Sequence, residues 1–161
     1  MKYLTFFIIA MMSLPSMATN KIYVTQAGAS LVFDVLQDGD GNTVGSNTTA
    51  STVSGSASNF NIDQVGNTNV LTFDIDGDSF TGTFSTTGDS NNIDFNCDSG
   101  SSTSGCDSVT ASITFTGNSS DIDIDIGNAT SKSGDSAGVT ILGESGTDST
   151  VINAAIDGTS V

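Results

Sequence analysis

The sequence predicts an all-β fold, a β-solenoid of about eleven short strands in roughly 22-residue strand–turn–strand rungs. Three observations predict it. A glycine or small polar residue returns at eleven-residue intervals, apolar residues alternate within each interval, and the extra residues between intervals have loop composition. An antiparallel β-sandwich is the competing arrangement, because short strands at this spacing also suit it.

Residues 1–18 stand apart from the repeat. Lys2 provides a positive start, Leu4 to Met12 is almost unbroken apolar sequence, and Pro15 precedes Ser16-Met17-Ala18. That layout is a secretory signal peptide cleaved after Ala18. The apolar run is shorter than the roughly 20 residues of a membrane-spanning helix. The expected organisation is therefore a leader, 1–18, and a single repeat domain, 19–161, secreted or held at the cell surface with no membrane span in the mature chain.

The first repeats are the clearest. Before Gly66 stand Gln64, Ile62 and Phe60, and three residues after it Asn69. Eleven residues on, Gly77 follows Ile75, Phe73 and Leu71 and precedes Phe80; Gly88 follows Thr86, Phe84 and Gly82 and precedes Asn91. Gly55 lies eleven residues before Gly66, and Gly28 and Gly39 keep the same interval. Later units place Ala111, Ile113 and Phe115 before Gly117, then Ile122, Ile124 and Ile126 before Asn128. Ala137, Val139 and Ile141 lead to Gly143, and Ile152, Ala154 and Ile156 to Gly158. Extra residues fall near 43–48, 100–106, 129–135 and 144–150, which read as loops.

A period of two is that of a strand with one buried face. Asp121-Ile122-Asp123-Ile124-Asp125-Ile126 predicts three isoleucines inward and three aspartates outward. The glycine places sit at strand ends, where a left-handed backbone would reverse the chain. One such unit cannot cover its own apolar face; two facing units can, and such pairs stack at about 4.8 Å through main-chain hydrogen bonds.

Composition narrows the function. The chain has 3 Lys+Arg, 18 Asp+Glu and no His. Without Lys2 the mature chain carries 2 basic and 18 acidic residues, a formal charge of −16. Nucleic-acid binding needs Lys and Arg to displace counterions, and anionic membrane surfaces need the same; both are excluded as partners. The absence of His removes the usual Ser-His and Cys-His nucleophile pairs, so no catalytic residue is assigned and no enzymatic activity is expected. Cys97 and Cys106, the only cysteines, are expected to form one disulfide in an exported chain.

Metal binding has partial motifs only. Asp38-Gly39-Asp40-Gly41-Asn42 opens like a calcium loop, but Thr43 and Thr49 occupy the places of the required Gly and Glu. Asp74, Asp76 and Asp78 fail similarly at Ser79 and Ser85. No cofactor and no specific metal site is expected; weak, diffuse calcium binding by the acidic face is.

Ser58, Gln64 and Asn69 have the spacing Ser-x5-Gln-x4-Asn of the curlin repeat. Gln26 and Gln37 match its Gln-to-Gln interval, and Gln37 with Asn42 its Gln-x4-Asn part. The segments 22–44 and 60–80 therefore resemble curlin repeats, the units of secreted bacterial amyloid fibres, over about a third of the mature chain. Ile75 stands where the motif closes with Gln, Leu31 stands where Asn would follow Gln26, and no Gln occurs beyond residue 70. The resemblance implies a solenoid subunit that self-assembles end to end or with related repeat proteins, and a role in surface adhesion and biofilm matrix. The alternative is a monomeric, secreted, acidic binding module, calcium-linked or directed at a cell or particle surface; the degenerate repeats also resemble those of small secreted or phage-encoded proteins of marine microbes. A charge of −16 opposes stacking at low salt, so assembly is expected to be promoted by salt or divalent ions, the Debye length falling to about 3 Å at 1 M.

Overall fold

Alternating β-branched and aromatic residues across Gly- and Ser-rich breaks produce strands throughout. The computed structural model describes residues 20–45, 50–97, 106–127, 136–144 and 146–157, and the backbone but not the side chain of Gln26. The leader read over residues 1–18 lies outside these, as do most of the insertions near 100–106 and 129–135. The strands are β1 Lys21–Ile22, β2 Thr25–Ala27, β3 Val32–Asp38, β4 Thr43–Val44, β5 Ser51–Ser54, β6 Asn59–Val65 and β7 Thr68–Asp76. They continue with β8 Thr81–Thr87, β9 Ser90–Cys97, β10 Thr110–Thr116, β11 Ser119–Ile126, β12 Gly138–Gly143 and β13 Thr150–Ile156. No helix occurs among the described residues. With β1–β2 and β4–β5 each taken as one interrupted strand, the thirteen elements reduce to eleven units.

The strands form two sheets. One is ordered β12-β10-β8-β6-β3; the other runs β1-β4-β7-β9-β11-β13, with β2 and β5 continuing beside β7. Successive units alternate between the sheets, so each strand pairs with the unit two places on in sequence. Every pairing among the described residues is parallel. The antiparallel sandwich is thus corrected: consecutive strands face each other across the core instead of hydrogen-bonding to each other. We call one strand from each sheet a tier.

Register follows the repeat. Asn59 pairs with Thr81 and Thr68 with Ser90, both 22 residues on. Val32 pairs with Asn59, Thr81 with Thr110, and Ser120 with Thr150, longer steps that absorb the insertions. One insertion is misplaced by composition. Thr43–Val44 is strand β4 with Val44 fully buried, so the unit is interrupted only after Val44 and resumes at Ser51. Pairing resumes on either side of the interruption, Gly45 N donating to Ile22 O and Thr52 N to Val24 O, both at 2.8 Å.

The core lies between the sheets. Ile122, Ile124 and Ile126 are fully buried while Asp121, Asp123 and Asp125 are exposed, as the alternation predicts. Five phenylalanines occupy its centre with Phe33 packed at its rim: Phe60 packs on Phe33, Phe73 and Phe80 at 5.1–5.3 Å between centroids, and Phe95 on Phe80 and Phe84 at 5.4 and 6.0 Å. Such pairs contribute about 0.5–1.5 kcal/mol each beyond burial. Gly82 sits in register between Phe60 and Ala111, and its missing side chain leaves the space that the Phe80 and Phe84 rings fill.

The corners meet the expectation in part. Gly66, Gly88 and Gly117 are not left-handed; they are needed because their Cα atoms approach the preceding tier's backbone. A Cβ on Gly66 would overlap Gly39 O, one on Gly88 would overlap Gly66 O, and one on Gly117 would overlap Gly88 O. Positive φ is found at the repeat glycines Gly28, Gly39 and Gly55, as expected, and also in a column of non-glycine residues, Ser30, Ala57, Ser79, Ser108 and Ser136, with φ between 58 and 68°.

Candidate functional site

Two features are candidates for function: polar ladders inside the stack, and the strand edges at its two ends. The ladders come from positions where the repeat places an amide inward. Asn42, Asn69 and Asn91 form one column at the start of the second sheet's strands, all three buried. Asn20 Nδ2 donates to Asn42 Oδ1 at 2.9 Å, Asn42 Nδ2 to Asn69 Oδ1 at 3.3 Å, Asn69 Nδ2 to Asn91 Oδ1 at 2.8 Å, and Asn91 Nδ2 to Ser120 Oγ at 3.2 Å. Each amide also donates to a corner carbonyl: Asn42 to Val65 O at 2.7 Å, Asn69 to Thr87 O at 3.0 Å, Asn91 to Thr116 O at 3.3 Å. The column thus fastens each tier to the next where the chain turns, and satisfied networks of this kind rigidify a core.

Gln37 and Gln64 form a second, shorter ladder. Gln64 Nε2 donates to Gln37 Oε1 at 2.7 Å, and both side chains are buried. The next residue of this column is Thr86, whose hydroxyl reaches no partner, and Gln64 Oε1 is left without one as well. The ladder therefore stops where the amide is replaced.

The predicted motif residues separate accordingly. Gln37, Asn42, Gln64 and Asn69 line the core in two ladders. Gln26 lies in β2, opposite Val53 in the other sheet from Gln37, so their shared sequence interval does not bring them into one column. Ser58 is buried at a corner, its hydroxyl without a partner among the described residues. Asn20 and Ser120 also belong to the asparagine column and escaped the reading; the available signal was the 22-residue interval from Asn20 to Asn42 and the place three residues after Gly117. Cys97 and Cys106 are disulfide-bonded, with Cα atoms 5.9 Å apart and both side chains fully buried.

The outer face of the second sheet is acidic. Asp94 and Asp123 are directly paired, and Asp121 lies beside Asn92. Burial first, then Asp123, Asp74 and Asp125, push the Asp94 carboxyl above its ordinary value. These groups, with Asn92 and Ile93, line a depression on this face. Among the described residues no group of three or more His, Cys, Asp or Glu is arranged to hold a metal ion. Asn42, the fifth position of the partial calcium loop, is committed to the ladder.

The edges complete the inventory. β3 and β12 bound the first sheet; β1–β2 and β13 bound the second. Strands β12 and β13 are open to solvent along most of their length, including inward positions such as Ile152 and Ala154. No helix of the described residues is long and apolar enough to cross a membrane. No family model, no curated protein and no solved structure matches the chain.

Proposed function

We propose that the mature chain is a secreted β-solenoid that serves as a structural, adhesive subunit, curlin-like in its repeats and joining copies by β-stacking. One observation carries the reading. Of the seven large hydrophobic residues exposed among the described residues, six lie on the terminal tiers: Tyr23, Val32 and Leu36 at one end, and Leu142, Val151 and Ile152 at the other. The outward positions of the inner strands, by contrast, are mostly hydroxyl, amide or carboxylate side chains, Val65 being the exception. Exposed apolar residues beside unpaired parallel strand edges are the chemistry of strand addition. The internal amide ladders support the same reading, since stacked Asn and Gln side chains stabilise cross-β assemblies.

Electron microscopy of the purified mature protein tests the reading, across protein concentration and from low salt to about 1 M, where screening shortens to about 3 Å. Fibres or end-to-end oligomers that lengthen with salt are the expected result. A monomer under every condition overturns it in favour of the acidic binding module.

A further inference from the structure

Resting on the stacking reading, we infer its direction and register: the β12–β13 end of one copy docks on the β1–β3 end of the next, head to tail, with each sheet continuing in its own register. Leu142 then falls beside Leu36, and Ile152 beside Ile22.

The columns define this match. In the first sheet, Val35, Ile62, Phe84, Ile113 and Ile141 are successive register partners, so Val35 is the residue that would follow Ile141 across a joint. By the same columns Phe33 follows Val139 and Leu36 follows Leu142. In the second sheet, Ile22, Val44, Leu71, Ile93, Ile122 and Ile152 form one column, so Ile22 follows Ile152. Each of these four positions sets apolar against apolar. Leu36 and Leu142 face outward and are 73% and 53% exposed, so nothing among the described residues covers them.

Direction follows from pairing and charge. All internal pairs are parallel, and a parallel edge is continued by a translated copy, which is a heterologous contact; a two-fold contact would pair two edges antiparallel. Lys21, the only cation among the described residues, stands on the edge strand β1. Asp121 and Asp123 stand on β11, one strand inside the opposite edge of the same sheet. Head-to-tail docking brings Lys21 onto the acidic face, two strand spacings or about 10 Å from Asp121. An N-end to N-end contact would set Lys21 against Lys21. The same register places Glu144, next after Gly143, beside Asp38, a like-charged contact that salt relieves.

Disulfide trapping tests the register. Neighbouring parallel strands place paired Cα atoms about 4.8 Å apart, inside the 4.4–6.8 Å range of a disulfide. Leu36→Cys and Leu142→Cys are purified separately, mixed under assembly conditions and oxidised; Cys97 and Cys106 are already paired and buried. The mixed disulfide is expected in about tenfold excess over either homodisulfide, because adjacency and not collision sets its rate. The double variant is expected to give a ladder of covalent oligomers. Oligomers visible by microscopy whose cross-links are Leu36→Cys to itself or Leu142→Cys to itself, or that form none, overturn the register while leaving stacking intact. Absence of any oligomer overturns both.

Discussion

Replacing Gly88 by alanine tests the role of the corner glycines. A Cβ at this position overlaps Gly66 O and lies 2.8 Å from Asn69 Nδ2, so both a backbone carbonyl and the asparagine ladder oppose it. Neither can yield alone. Gly66 N donates to Thr87 O and Gly88 N to Thr116 O, each at 2.9 Å, and these bonds set the spacing of three tiers. Relief requires the corner to shift by about 1 Å in an interior packed without slack. Overpacking of this kind costs about 1–3 kcal/mol, and weakening two hydrogen bonds adds about 1 kcal/mol each. A loss of about 3–5 kcal/mol follows, which for a chain of this size lowers Tm by roughly 10 °C. The control is Gly138→Ala, where a Cβ meets nothing within 4 Å and the backbone is not left-handed. There the lost freedom of the unfolded chain predicts a gain of about 0.4–1 kcal/mol. Calorimetry of both variants at one pH and salt concentration decides. If Gly88→Ala melts with Gly138→Ala, close approach is not what the corner glycines serve.

Three further outcomes are expected. Because the folded chain holds a proton on Asp94 more tightly than the unfolded chain does, stability rises as pH falls from 7 through the raised value and levels off below the ordinary 3.9 or so; Asp94→Asn melts higher at pH 7 with a flatter pH profile, and a variant keeping the parent slope refutes this. Cys97→Ala with Cys106→Ala frees a loop of about ten residues and costs roughly 2–3 kcal/mol by chain entropy, read as a lower urea midpoint; an unchanged midpoint excludes a stabilising cross-link. Ala57→Gly relieves a left-handed residue at φ 61°, and its stability rises by about 1 kcal/mol, whereas a fall in Tm would show that the corner tolerates the side chain at no cost.

Much of this architecture was legible because burial acts on every second residue. Ile122, Ile124 and Ile126 announced their face, and the eleven-residue interval announced the columns in which Asn69 and Asn91 meet. What escaped had physical reasons. Thr43–Val44 lies beside polar sequence and reads as loop, yet two residues suffice for β4 because Ile22 and Leu71 flank Val44 in register. Gln26 shares its interval with Gln37, but one unit is an odd step and carries it to the opposite sheet; only even steps make ladders. The left-handed column was assigned to glycine because glycine pays least for that conformation. Gly28, Gly39 and Gly55 do take positive φ, but Gly66, Gly88 and Gly117 serve close approach, a demand that becomes visible only when a neighbouring tier's carbonyl is in place.

The tiers are built alike but filled differently, and the difference matters while the chain folds. A sheet of identical strands can pair one step out of place at little cost. Here, a slip by one tier that set β6 against β10 would lay Gln64 on Phe115 and would set Phe60 over Ala111 without the vacancy that Gly82 provides. Each column thus works like the wards of a lock, accepting the neighbour from its own place in the chain and resisting the one beyond it.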